Sequence, residues 1–314
     1  MKQQQFVASN EALWAEIAAI LADPQADRRP LPALYRRLCQ CLALARQRGY
    51  SPAIAAYLQN MVSDCHRLLY GAGVARPSTL VRWMLVDFPC RVRAEWRLLL
   101  LACLAFYGVA LAVGLMIWFD PHWAYSFSDA TQLEEYRKMY QSGQLKMGRG
   151  SEGDVLMFGY YIWNNVSICF RTFAGGIAGG IPALFSTASN GMHFGVIGAW
   201  LSKDPATRNN FWSFVITHSA FEVTGLLLSS MAGMRLGLTL IHPGRRSRAH
   251  ALHDASADMF PVIVGGALFT FGAAFIEGFW SASTAIPASA KYAVGGVCWT
   301  LVIAFFVFAG RRRQ

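Results

Sequence analysis

The chain has 314 residues, of which 54% are hydrophobic, 13% aromatic and only 15% charged. Soluble domains carry about 25% charged residues, so this composition indicates a membrane protein and excludes a disordered chain, a collagen and a disulfide scaffold. The formal charge of +10 is not arranged as a basic stripe interleaved with aromatic residues. We therefore expect no nucleic acid partner and attribute the excess to membrane orientation and to contact with membrane lipid.

Residues 1–97 are predicted to form a cytoplasmic helical domain. Three amphipathic helices are expected there, because apolar residues recur at helical spacing between proline and glycine breaks. Ser9 or Asn10 is expected to cap the first helix, the second runs from about 32 to 47, and the third begins at Ser51.

The segment from Pro77 to Trp96 leads into the first apolar stretch. Its tryptophan and arginine side chains suit a helix that lies at the level of the lipid headgroups. The alternative is a fourth helix of the N-terminal bundle.

Residues 98–314 are predicted to form a transmembrane domain, so the fold class is an all-α polytopic membrane helix bundle of about six spans. Residues 98–119 carry no charge, and 22 helical residues can cross a hydrocarbon core of about 30 Å. The six predicted spans are 98–119, 154–171, 173–201, 211–240, 260–280 and 290–310.

The positions of Lys and Arg predict the orientation of these spans. Arginines precede the first span, follow the last and lie in the loop at 242–259, which places that loop and both termini in the cytoplasm. The longest loop, 120–153, is then external. We therefore expect a multi-pass membrane protein.

The predicted span at 173–201 contains two small-xxx-small pairs, formed by Gly175, Gly176, Gly179 and Gly180. Such glycines permit close approach of helices, either within one chain or between copies in a homo-oligomer. Pro182 interrupts the backbone hydrogen bonds soon after, so the stretch is either one kinked span or two half-helices.

Ionisable and amide side chains lie within the predicted spans, where a buried charge needs a partner or has a function. His218 and Glu222 are four residues apart and share one helix face. Three interpretations remain open, namely a polar cluster that only locks packing, a proton relay, or a metal site completed by Glu277 or His193. We expect no bound metal, with a divalent ion at His218 and Glu222 as the alternative.

The other polar residues of this region are expected to extend an intramembrane cluster around His218 and Glu222. Glu277 either reaches the interface or pairs with Lys291 or Arg235, and the amides can form hydrogen bonds across helices. The remaining members of the predicted cluster are Asn164, Asn165, Asn190 and His193. No complete catalytic set is recognisable, so we assign no catalytic residue and favour a role without enzyme activity over an enzyme.

The order of these residues resembles that of a known family, the stage II sporulation protein M family of integral membrane proteins. The membrane portion is similar at Asn164-Asn165, at Gly175–Gly180, at Asn190-Gly191, at His218…Glu222 and at Ile276-Glu277-Gly278. The N-terminal portion is similar at Phe6-Val7 with Trp14, at Leu34-Tyr35-Arg36-Arg37 and at Leu42 to Arg46.

The resemblance implies a membrane partner of peptidoglycan-degrading enzymes in spore formers. In other bacteria, it implies a neighbour of MoxR-type ATPases and von Willebrand A domain proteins. From this we expect an inner-membrane scaffold or assembly protein of an envelope complex. A transporter or channel built around His218 and Glu222 is the first alternative, and a membrane metalloenzyme is the second.

Overall fold

The computed structural model describes residues 3–23, 26–70, 77–141, 143, 146–148 and 153–311, and seven residues of the predicted external loop lie outside these ranges. Apart from a single β-bridge between Lys146 and Ser283, the regular structure of the described residues is helical. The predicted all-α class is confirmed. The chain divides into two compact units, Met1–Pro77 and Ser78–Gln314.

The first unit is a three-helix bundle with a dry apolar core. The helices are α1 (Gln3–Ala22), α2 (Leu31–Gln47) and α3 (Pro52–Tyr70). Each of them buries residues at the predicted helical spacing, with Ile17, Leu38 and Leu58 fully buried.

The predicted start of α1 is wrong. Ser9 lies inside the helix, where its hydroxyl donates to the Gln5 carbonyl at 2.7 Å instead of capping a new helix. Phe6 is 1% exposed and packs on the core of the bundle. Burial of this ring stabilises the helix upstream of Ser9. A capping pattern depends on neighbouring residues alone and therefore does not predict such a tertiary contact.

The second unit begins with three short helical segments that precede its long helices. They are α4 (Pro77–Arg82), a π-helical turn (Trp83–Asp87) and α5 (Phe88–Ala94). The long helices and the helices of the loop predicted to be external follow, in the order α6 (Trp96–Cys103), α7 (Val109–Phe119), α8 (Ala124–Phe127), α9 (Ala130–Tyr140), α10 (Asp154–Gly176), α11 (Ile181–Lys203), α12 (Pro205–Ile241), α13 (Arg248–Phe275) and α14 (Ala288–Phe308). A π-helical turn at Leu104–Gly108 joins α6 to α7, and another at Ile276–Ser281 continues α13.

Helix α5 packs against α13 and α14. The fully buried Phe88 ring lies where a methyl group on Gly265 would be. Arg93 donates to the Phe306 and Ala309 carbonyls at 2.8 and 2.7 Å, which satisfies carbonyls at the end of α14. This part of the segment predicted to lie at the headgroups is therefore built into the second unit.

Within the described residues, four helices are long and apolar enough to cross a membrane. They are Trp96–Phe119, Pro205–Ile241, Arg248–Ser281 and Ala288–Phe308. Helices α10 and α11 have 23 residues each, enough to span a bilayer, but their sequences are more polar. The molecule is a membrane helix bundle, and the crossing of the membrane by α10 and α11 remains a prediction.

The predicted span 173–201 is wrong at its start. Residues 173–176 complete α10, the chain reverses at 177–180, and α11 starts at Ile181 with Pro182 in its first turn. Gly179 and Gly180 have φ of +74° and +84°, a left-handed conformation that side chains with a Cβ disfavour. The proline therefore begins a helix rather than kinking one.

Candidate functional site: a polar cavity among the membrane helices

Helix α12 carries the two central residues of the site. It runs for 37 residues without a break, so His218 and Glu222 lie one turn apart on the same face. The His218 Nε2 and Glu222 Oε2 atoms are 3.7 Å apart. His218 is 4% exposed, whereas a third of the Glu222 side chain is accessible. Because Glu222 lies midway along a long apolar helix and lines a cavity, we attribute its exposed surface to that cavity.

Glu277 reaches the same place from the π-helical turn after α13. A π turn contains an extra residue, and such turns recur at functional sites because they re-aim side chains. Glu277 is 8% exposed, and its Oε2 accepts from Asn165 Nδ2 of α10 at 3.4 Å. Asn164 Nδ2 donates in turn to the side-chain Oδ1 of Asn165 at 2.9 Å. Glu277 therefore faces the interior of the bundle.

The partners that the sequence suggested for Glu277 are engaged elsewhere. Arg235 pairs with Glu95 at 2.8 Å. Lys291 is fully buried and donates from Nζ to the Ser281 and Ser283 carbonyls, both at 2.7 Å. This ammonium group satisfies carbonyls at the end of the π turn and so holds the turn that carries Glu277.

Ser281 fixes the orientation of the His218 ring. Its hydroxyl lies 3.0 Å from His218 Nδ1, on the opposite side of the ring from Glu222. The arrangement resembles a serine–histidine–acid triad, but Ser281 is 0% exposed and does not line the cavity. A nucleophile must reach its substrate, so Ser281 orients the imidazole instead.

One cavity of about 350 Å³ unites the predicted residues. All seven members of the predicted polar cluster line its wall, namely Asn164, Asn165, Asn190, His193, His218, Glu222 and Glu277. On α11, Asn190 donates to the Ser186 carbonyl at 2.8 Å, and His193 Nε2 lies 3.3 Å from the Tyr136 hydroxyl. A volume of this size can hold a small polar ligand or several waters.

Sequence reasoning missed the aromatic part of the wall. Tyr136 and Tyr140 of α9 line the cavity, and the Tyr140 ring packs against Phe214, whose own ring meets His218 at a centroid distance of 5.0 Å. Burial raises the pKa of Tyr140 well above its ordinary value, so this phenol stays neutral. The signal available in the sequence was the spacing of Tyr136 and Tyr140, four residues apart in a loop helix.

The other end of the helix pair α10 and α12 is closed. A methyl group on Gly176 would overlap the backbone of Gly233, and one on Gly237 would overlap Gly176 and Gly180. Gly233 lies about 16 Å along α12 from Glu222. Of the four predicted packing glycines, Gly176 thus contacts α12 from a helix, Gly179 and Gly180 lie in the turn, and a methyl group on Gly175 would come within 3.3 Å of Pro182.

Comparison with family models found two matches that divide the chain. The model described as Stage II sporulation protein M matches residues 98–282, more than half of the chain. A separate model, described as Domain of unknown function (DUF8413), matches residues 4–71. The resemblance noted in the sequence is confirmed for the membrane portion, whereas the N-terminal helices match a different family.

Comparisons with curated proteins and with solved structures found no match.

Proposed function

The chain belongs to the stage II sporulation protein M family of membrane proteins, and from this premise we propose that it is a scaffold or assembly protein of an envelope complex. In this proposal, it lies in the bacterial inner membrane with both termini in the cytoplasm. The three-helix unit recruits a soluble partner, and the membrane unit anchors the complex. A MoxR-type ATPase or a von Willebrand A domain protein is the partner that the family resemblance suggests.

The observation that carries this proposal is the independent three-helix unit. It has its own apolar core of buried residues from all three helices, and it matches a family model separate from that of the membrane unit. A unit with its own core and no predicted catalytic residue is suited to binding another protein.

The exposed side of α2 offers a surface for such a partner. Arg36 and Arg37 are exposed, and within the described part of the chain neither forms an ion pair, in contrast to Arg67, which pairs with Asp64. Adjacent unpaired guanidinium groups attract acidic surfaces and raise association rates. We therefore assign the partner an acidic contact surface.

Photocrosslinking in living cells tests this proposal. A photoreactive residue placed at Gln40, one turn from Arg36 and Arg37 on α2, should crosslink the full-length chain to a soluble or envelope protein identified by mass spectrometry. The adduct should disappear in the double variant R36E/R37E and persist in R67E, with equal membrane insertion of all three. Crosslinks only to lipid and chaperones, or an adduct unaffected by the double variant, would contradict it.

The cavity supports a second candidate, a transporter. The predicted polar residues line a partly open cavity instead of being sealed among apolar side chains. The close glycine contacts between α10 and α12 argue against an open channel, so transport would require these helices to separate.

Cysteine accessibility tests this second candidate. The variant N190C, in a background with the seven native cysteines replaced, should react with a charged thiol reagent from both sides of the membrane if access alternates. Reaction from one side only would reject transport.

A further inference from the structure

We propose that His218, Glu222 and Glu277 form a binding site for one divalent transition-metal ion. One imidazole nitrogen and two carboxylate oxygens come from two separate elements, α12 and the π turn after α13. These ligand atoms lie within 4.8 Å of one another, and all three residues line the cavity. The site is independent of the scaffold function, so its failure would leave that proposal intact.

Among the described residues, the two carboxyl groups of the cluster have no Lys or Arg partner, which favours a bound cation. Oε2 of Glu222 lies 3.7 Å from Nε2 of the His218 imidazole. Lys291 and Arg235, the basic residues with which Glu277 could have paired, are held by carbonyls and by Glu95. Charged groups inside a membrane bundle need compensation, and a divalent ion would neutralise both carboxylates at once.

Neighbouring side chains orient two of the three ligands, His218 and Glu277. The Ser281 hydroxyl at His218 Nδ1 leaves Nε2 directed toward Glu222. The Asn165 amide holds Oε2 of Glu277, which leaves the other oxygen for a metal. Hydrogen bonds of this kind orient metal ligands and tune their affinity in known metal sites.

The donor set favours Zn²⁺, Mn²⁺ or Fe²⁺, because imidazole and carboxylate together suit these ions. Ligand atoms on a tetrahedral zinc lie about 3.3 Å apart, as follows from zinc–ligand distances near 2.0 Å. The separation of 3.7 Å between His218 and Glu222 is close to this value. Three protein ligands leave a coordination position for a water or a polar ligand.

Metal binding by the purified full-length chain tests the proposal. The protein carries a tag without histidine, is stripped with a chelator in detergent and is dialysed against Zn²⁺, and bound metal is counted by elemental analysis. We expect about one ion per chain, with at least a tenfold loss of affinity in E277Q and in H218Q. Co²⁺ as a second probe should give visible absorption bands that both variants lose.

Two control variants separate this site from other binding. H193Q removes a histidine of the same cavity that is not a ligand, and it should bind metal normally. H250A removes the exposed histidine that lies 3.7 Å from Asp254, and subtracts adventitious surface binding. Thermal unfolding shows that each variant is folded, and a misfolded variant is replaced by E222Q. A stoichiometry near zero with Zn²⁺, Mn²⁺ and Fe²⁺, or equal binding by E277Q, H218Q and the parent, would overturn the proposal.

Discussion

The two ends of the helix pair α10 and α12 are built from different side chains and have opposite consequences. At Gly176 and Gly233, the backbones meet with no room for a methyl group. About three turns away, Asn165 and Glu222 both line a cavity of about 350 Å³. The same two helices thus diverge from backbone contact to a partly open cavity, because side-chain volume sets the distance between packed helices.

The closed end sets the largest expected effect. In Gly176→Ala, the added methyl group must push α12 away, and we expect a loss of about 2–3 kcal/mol in the free energy of unfolding, measured by denaturation in detergent. Gly159→Ala on the same helix is the matched control, because nothing lies within 4 Å of its added Cβ. Equal stability of the two variants would show that the helices do not meet as described.

The stability of the open end depends on Lys291, which holds the π turn that carries Glu277. Lys291→Met removes the donor to one buried and one part-buried carbonyl, and we expect a loss of about 2 kcal/mol in the same denaturation measurement. Lys203→Met is the control, since Lys203 is exposed and its Nζ lies over the Trp118 ring, 5.3 Å from the ring centroid. A Lys291 variant as stable as this control would contradict the role assigned to the ammonium group.

The start of α12 gives a smaller, pH-dependent effect. Asp204 accepts from the Ala206 N–H at 2.9 Å and pairs with Arg137 at 2.8 Å, and these two contacts lower the pKa of Asp204 below 3.8. The charged carboxylate therefore stabilises the fold above pH 3.8, and this contribution disappears as the pH falls through the lowered pKa.

We accordingly expect Asp204→Ala to lose about 1 kcal/mol near pH 7, with a smaller deficit below pH 3.8. Thermal unfolding near pH 7 and below pH 3.8 provides the measurement. Asp204→Asn retains an acceptor for the cap and should lose less stability than alanine. A deficit of Asp204→Ala that does not change with pH would show that the charge of Asp204 contributes nothing.

The smallest effect concerns a polar contact between α11 and α12. Thr187 donates to the Ser230 hydroxyl at 2.7 Å, and such bonds in membrane bundles contribute about 0.6 kcal/mol. Thr187→Val should cost about that much, and a double-mutant cycle with Ser230→Ala should give a coupling of similar size. A coupling of several kcal/mol would mean that this hydrogen bond, and not the glycine contacts, mainly stabilises the packing at this end of the helices.

The helices and the members of the polar cluster were largely predictable from local patterns. Periodic apolar residues located α2 and α3, and the uncharged stretch located α6 and α7, because helix formation and lipid burial depend on sequence neighbours. The seven polar residues were identifiable because each is unusual inside an apolar helix. We expected these residues to meet in one cluster, and the structure brings them to one cavity from three separate helices and a π turn.

The places of α9 and of Ser281 beside the polar cluster could not be derived from local patterns alone. In the sequence, Tyr136 and Tyr140 are two tyrosines of a loop helix. Only the structure shows that α9 places them in the wall of the cavity. Ser281 and His218 are 63 positions apart in the chain, and no local sequence pattern predicts a contact over such a separation.

Local sequence was thus sufficient for the membrane class, the helices and the identity of the buried polar groups, because hydropathy and helical periodicity act over short stretches of chain. The reversal at 177–180, the backbone contact at Gly233 and the opening beside Glu222 depend on how distant helices pack. Those features required the tertiary structure, since the distance between two helices is set jointly by the side chains that both contribute.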